Sequence, residues 1–122
     1  MKAIHYDVEG DILTVTFAET GSRKHTGTEL TENIVFYYET EADMPLQLIL
    51  VGYRAMVKSS ARRALPLTRL NQLPAARRNL ILRLLRCPPV SYFLRVVESG
   101  QGARAAGRLG DIFIPEALQA VT

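Results

Sequence analysis

The sequence predicts an α+β fold: an antiparallel β-meander, one main amphipathic helix and a C-terminal β-hairpin. Three observations carry that expectation. The first half is a series of short apolar runs with a period of two, separated by turn residues. One later segment, 74–86, has helical periodicity between prolines. Hydrophobic residues make up 48% of the 122-residue chain and charged residues 22%, which suits one packed core and is too little chain for two. A single domain over 1–122 is expected, in which 1–57 forms the meander half and 58–122 adds the helix and hairpin.

The elements follow in order. Residues 4–7 make a short first strand, and Gly10 supplies a tight turn. In 12–17, Leu13, Val15 and Phe17 fall on one face and Thr14 and Thr16 on the other, the alternation of a half-buried strand. Residues 18–31 are polar and read as a loop, long enough to hide a strand portion. Residues 33–39 are crowded with β-branched and aromatic side chains and form the next strand. The segment 41–45 breaks it, and 46–53 is a fourth strand. So few polar residues interrupt that strand that it reads as central and covered on both faces. Its inward set is either Leu46, Leu48 and Leu50, or Ile49 and Val51. Residues 58–72 read as a connector with one helical turn.

The helix 74–86 begins with Pro74 at its first position and stops before Pro88-Pro89. Ala76, Leu80, Ile81, Leu84 and Leu85 share one side and Asn79, Arg83 and Arg86 the other. Arg77 falls in the apolar sector, its stem packed and its head in water. A strand at 91–98, a glycine-rich loop at 99–110, a short strand at 111–114 and a brief helix at 116–121 complete the chain. Short elements with many strand edges lead to the expectation of a homodimer, through an edge strand or the Leu80/Leu85 face.

Charge divides unevenly. Residues 1–57 carry four basic groups and nine acids; residues 58–122 carry eleven basic groups and three acids. The basic half can serve a nucleic acid or an acidic partner, or the two halves can attract each other. The mutual attraction is favoured. The single cysteine forms no intrachain disulfide. The first residues lack the apolar stretch of a signal peptide and no run approaches a membrane span, so no membrane contact is expected and the cytoplasm is the expected compartment.

The run Tyr6-Asp7-Val8-Glu9-Gly10-Asp11-Ile12-Leu13-Thr14-Val15-Thr16-Phe17 resembles the opening of a small bacterial family, domain of unknown function 2283. Its members begin with a tyrosine–aspartate pair, a short turn and an aspartate leading into an apolar strand. Segments 33–39 and 48–57 fit the family's later strands. The resemblance covers residues 3–57 and rests chiefly on Tyr6, Asp7, Asp11 and Leu13. It implies a β-meander and no established activity. In some members it implies the antitoxin or partner half of a small two-gene module, hence protein binding, and it assigns no functional residue. The family usually joins its last two strands through a glycine-containing turn; 41–45 has none, so that turn differs.

No residue pattern demands catalysis, a metal or a cofactor. Asp7, Glu9 and Asp11 cluster as a cation site would require, but no calcium-loop spacing follows, and aspartates bonded to a local turn explain them. His5 and His25, with Glu29 or Glu32, match no metal spacing and read as surface histidines. Cys87 sits at a helix C-terminus, where the dipole does not favour a thiolate, and reads as a buried or half-buried structural cysteine. Gly100, Gly102, Gly107 and Gly110, with Arg104 and Arg108, match no phosphate-loop pattern and read as a hairpin tip. The arginines Arg62, Arg63, Arg77, Arg78, Arg83 and Arg86 are the candidate contacts for phosphate or an acidic partner. The expected function is a non-catalytic protein-interaction module with a small protein partner. A nucleic-acid binder working through the basic second half ranks second, and an enzyme third.

Overall fold

The protein is described here by a computed structural model over residues 3–19, 21, 24–97 and 111–114. Period-two alternation produces five strands: β1 (Ala3–Asp7), β2 (Ile12–Thr16), β3 (His25–Thr31), β4 (Ile34–Glu39) and β5 (Met44–Val51). They form one antiparallel sheet in the order β1-β2-β5-β4-β3. Strands β3, β4 and β5 are the meander, and the β1–β2 hairpin closes onto the other edge of β5. Leu13, Val15, Ile34, Phe36, Tyr38, Leu46, Leu48 and Leu50 are buried on one face. On the other, Thr14, Val35, Tyr37, Gln47 and Ile49 are half-buried and Val51 is exposed. Strand β5 is therefore central, as its composition suggests, but packed into the core on one face only, with the Leu46, Leu48 and Leu50 set inward.

The segment 18–31, read as a loop long enough to hide a strand portion, does contain one, β3. As an edge strand it buries only Thr28 and Leu30, so its outward residues stay polar and the run looks like a loop. The chain after β5 does not continue as strand through Tyr53. It turns at Gly52, whose φ of 77° lies in the left-handed region that costs other residues about 1 kcal/mol or more. The helix α1 (Tyr53–Arg62) starts there, with Tyr53, Met56 and Ser60 facing inward. The β4–β5 turn contains no glycine; Asp43 takes its positive φ of 50°, a conformation aspartate tolerates better than most residues.

Strand β6 (Leu65–Pro66) and a 3-10 turn (Leu70–Gln72) lead to α2 (Ala75–Leu85). The helix runs nearly as expected, with Pro74 one position earlier, at the cap. A second 3-10 turn (Val90–Tyr92) takes the first part of the expected strand 91–98, leaving β7 (Arg95–Val97); β8 (Asp111–Phe113) pairs with it. That is the anticipated C-terminal hairpin, and β6 pairs along the other side of β8 to give a second, three-stranded sheet. The glycine-rich segment 99–110 and the expected helix 116–121 lie outside the described residues.

One cluster of buried side chains joins the large sheet to Tyr53 and Met56 of α1, Ile81 and Leu85 of α2, and Ile112 of β8. Phe17 meets Phe93 at 6.3 Å between ring centroids. Ser60 Oγ accepts the Ile114 N–H at 2.8 Å, tying α1 to the end of β8. Ile81, Leu82, Leu84 and Leu85 are all buried in this core, so the Leu80/Leu85 face of α2 is not a free dimer surface. Ala76 and Arg77 are exposed, because the buried sector of α2 is centred on its second half.

Asp11 fixes where α1 begins. Its backbone carbonyl accepts the N–H groups of Gly52 and Tyr53 at 2.7 and 2.9 Å. Its carboxylate Oδ1 accepts the Arg54 N–H at 2.9 Å and the Tyr6 hydroxyl at 2.5 Å. The Tyr6 ring meets Tyr53 edge-on at 6.1 Å, and the Arg54 guanidinium lies 5.4 Å from the Tyr6 centroid. Burial works against ionising Asp11. The Tyr6 hydroxyl, the Arg54 and Ala55 N–H groups and the Arg54 charge outweigh it and hold the carboxyl below its ordinary value. The hydrogen bond to Asp11, with partial burial, pushes the Tyr6 phenol up. Tyr6 and Asp11 are thus members of a helix cap.

Asp11→Ala is expected to lower stability by about 0.5–2 kcal/mol, the range for a lost helix cap, read as a shifted urea midpoint with unchanged slope. Asp11→Gly, which keeps the positive φ of 55°, separates the lost carboxylate from backbone strain. The Asp11 contribution is complete above its ordinary value of 3.8 and disappears as pH falls through its lower folded value. The Tyr6 contribution is complete below 10.0 and disappears as pH rises through the higher folded value. Tyr6→Phe should therefore flatten the alkaline limb of the stability curve, and Asp11→Gly the acid limb.

Candidate nucleic-acid interface

Helix α1 turns Tyr53, Met56 and Ser60 inward, and the same 3.6-residue repeat must place Arg54, Lys58 and Arg62 together on its outer face. These residues are four apart, so the cations follow one another over about 12 Å of helix axis. Arg63 follows as the C-cap. All four are exposed. Arg54 is anchored over the Tyr6 ring near Asp11. Among the described residues, Lys58, Arg62 and Arg63 form no ion pair with an acid. The position of Arg62 in the last turn also suits the negative end of the helix dipole.

Elsewhere, basic groups of the chain meet acids of its first half. Arg83 reaches Asp43 at 3.3 Å, Arg69 reaches Glu29 and Glu32 at 3.9 and 3.8 Å, and Lys24 reaches Glu41 at 3.9 Å. These exposed pairs contribute little to stability, but they lower the local field around the arginines involved. The six candidate arginines therefore separate. Arg62 and Arg63 end the α1 face. Arg77, Arg78, Arg83 and Arg86 ride on α2, where Arg83 is paired with Asp43 and Arg78 donates to the Leu73 carbonyl at 3.3 Å. Helix α1 packs on β8 and α2 on β7, so the arginines divide between two supports. Arg54 and Lys58, missed in the sequence reading, complete the α1 row; their four-residue spacing with Arg62 was the available signal.

A groove of about 470 Å³ runs beside this row. On α1 it is lined by Ala55, Met56 and Ser59, the columns next to the cations. Leu65 and Pro66 of β6 add apolar surface, and Thr31, Asn33 and Thr68 contribute polar groups. Glu32 also borders it, with its charge engaged by Arg69 at 3.8 Å. A second concavity of about 280 Å³ lies between Arg86, Ser91, Tyr92 and Arg95.

The other sequence candidates do not converge. His5 and His25 lie on β1 and β3, the opposite edges of the large sheet, separated by four strand spacings or about 19 Å across the sheet and by a further four residues along it, since His5 is level with Glu29. His25 is in a strand, against the edge of Tyr37 at 6.1 Å. Asp11 is occupied by the α1 cap. Among the described residues, no three His, Cys, Asp or Glu side chains are grouped to hold a metal. Cys87 is exposed, contrary to the buried reading, because α2 ends before it and the chain turns away through Pro88 and Pro89. No described helix is long and apolar enough to cross a membrane.

Native Cys87 should react with a chromogenic thiol reagent at the rate of a free thiol, without denaturant. Protection until unfolding would contradict its exposed position. Comparison with known proteins adds no relative to this picture: no protein-family model, no curated protein and no solved structure matches the chain.

Proposed function

We propose that the protein is a non-catalytic binding module that engages nucleic acid along the outer face of α1. The observation that carries this reading is the row Arg54, Lys58, Arg62 and Arg63, in which the last three have no acidic partner among the described residues. A regular row of cations on a rigid helix fits a polymer with regularly repeated charge. Phosphate contacts of this kind release counterions and supply affinity without reading sequence. The sequence pI of about 9.3 agrees with an electrostatic footprint of this type. The exposed side chains of Lys58 and Arg62 lie outside the cap and core, so neutralising them costs stability no more than the roughly 0.3–1 kcal/mol of a surface charge near a helix end.

Binding of a fluorescent oligonucleotide, followed by anisotropy, is expected to weaken steeply between about 50 and 200 mM salt. Each of Lys58→Gln, Arg62→Gln and Arg63→Gln should lower the salt slope by about one, with thermal unfolding lowered by no more than the small loss of a surface charge near a helix end. Arg77→Gln, on the other helix, should leave the slope as it was. Salt-insensitive binding, or equal competition by polyglutamate, would overturn the nucleic-acid assignment and move the α1 face to an acidic protein partner.

A further inference from the structure

We infer that the groove beside α1 holds an unstacked base, so that the ligand is single-stranded nucleic acid; this rests on the phosphate-binding reading of the α1 face. The groove and the cation row share one helix. Ala55 and Ser59 stand one column from Arg54, Lys58 and Arg62, so a backbone lying along the cations brings its bases over the groove wall. The volume of about 470 Å³ is in the range of small-molecule sites. Its surface is mixed in the way a base requires. Met56, Leu65 and Pro66 offer apolar contact to the ring, and Thr31, Asn33, Ser59 and Thr68 offer donors and acceptors to its edge.

A duplex cannot use this arrangement. Its bases are stacked and paired inside the helix, so their flat faces do not reach a groove that sits beside the phosphate row rather than opposite it. A single strand can turn one base out at small cost. Among the described residues the acid at the rim is Glu32, which lies 3.8 Å from Arg69, and that pairing reduces its repulsion of the strand.

The test compares three labelled probes on the intact protein: a short single strand, the same sequence as a duplex, and the same strand made abasic. The single strand is expected to bind about tenfold more tightly than the other two, the gain of one accommodated base. Ser59→Phe, which fills the groove from an exposed position, should bring the single strand down to the level of the duplex while the salt slope stays unchanged. Asn33→Ala, a smaller change, should reduce the preference without abolishing it. An abasic strand that binds as tightly as the intact one would overturn the base-holding groove and leave phosphate binding in place. Failure of all three probes to bind in a salt-dependent way would overturn the α1 reading itself.

Discussion

Asp11 links the two halves of the molecule. One residue, at the entrance to β2, supplies two acceptors to the first turn of a helix that begins forty-two positions later, at Tyr53. Through the Tyr6 hydroxyl it also holds β1, the outermost strand on that side. The start of α1 follows from this cap together with the left-handed Gly52. Once the start is fixed, the 3.6-residue repeat decides which side chains enter the core and which face outward. The basic row and the adjoining groove are both consequences of that one phase. A helix beginning one residue later would keep its composition and rotate every side chain by about 100°.

The division of charge in the sequence has two structural meanings. Part of it is internal: Arg83 and Arg69 lie against acids of the first half. Part of it is displayed, on α1. The distinction depends on which element each cation rides on and not on how many there are. Arg62 and Arg83 look alike in sequence, yet one ends an outward helix face and the other sits 3.3 Å from Asp43.

Much of the fold was legible and some was not, for identifiable reasons. The helix α2 was readable because prolines bracket it and its apolar residues repeat at helical spacing. The inward face of β2 was readable because Thr14 and Thr16 alternate with Leu13 and Val15. Strand β3 was hidden because an edge strand buries few residues, and its Thr, Gly and Glu mimic a loop. Helix α1 was hidden because Leu46 to Val57 forms one nearly continuous apolar stretch, in which Gly52 is the single mark of a change from period two to period 3.6. With α1 unseen, Arg54 and Lys58 had no reason to be grouped with Arg62. The groove could not be read at all, since Thr31, Ser59 and Thr68 meet only through tertiary packing.

The strand order has a consequence for synthesis of the chain. Strand β5 occupies the middle of the large sheet but is the last of its five strands to be made. Until residue 51 is available, β2 has one hydrogen-bonding edge with no partner strand, and the apolar side chains Leu13 and Val15 await the core that will cover them. At translation rates of about 5–20 residues per second, that interval lasts roughly two to seven seconds. The large sheet can therefore close only when its centre arrives.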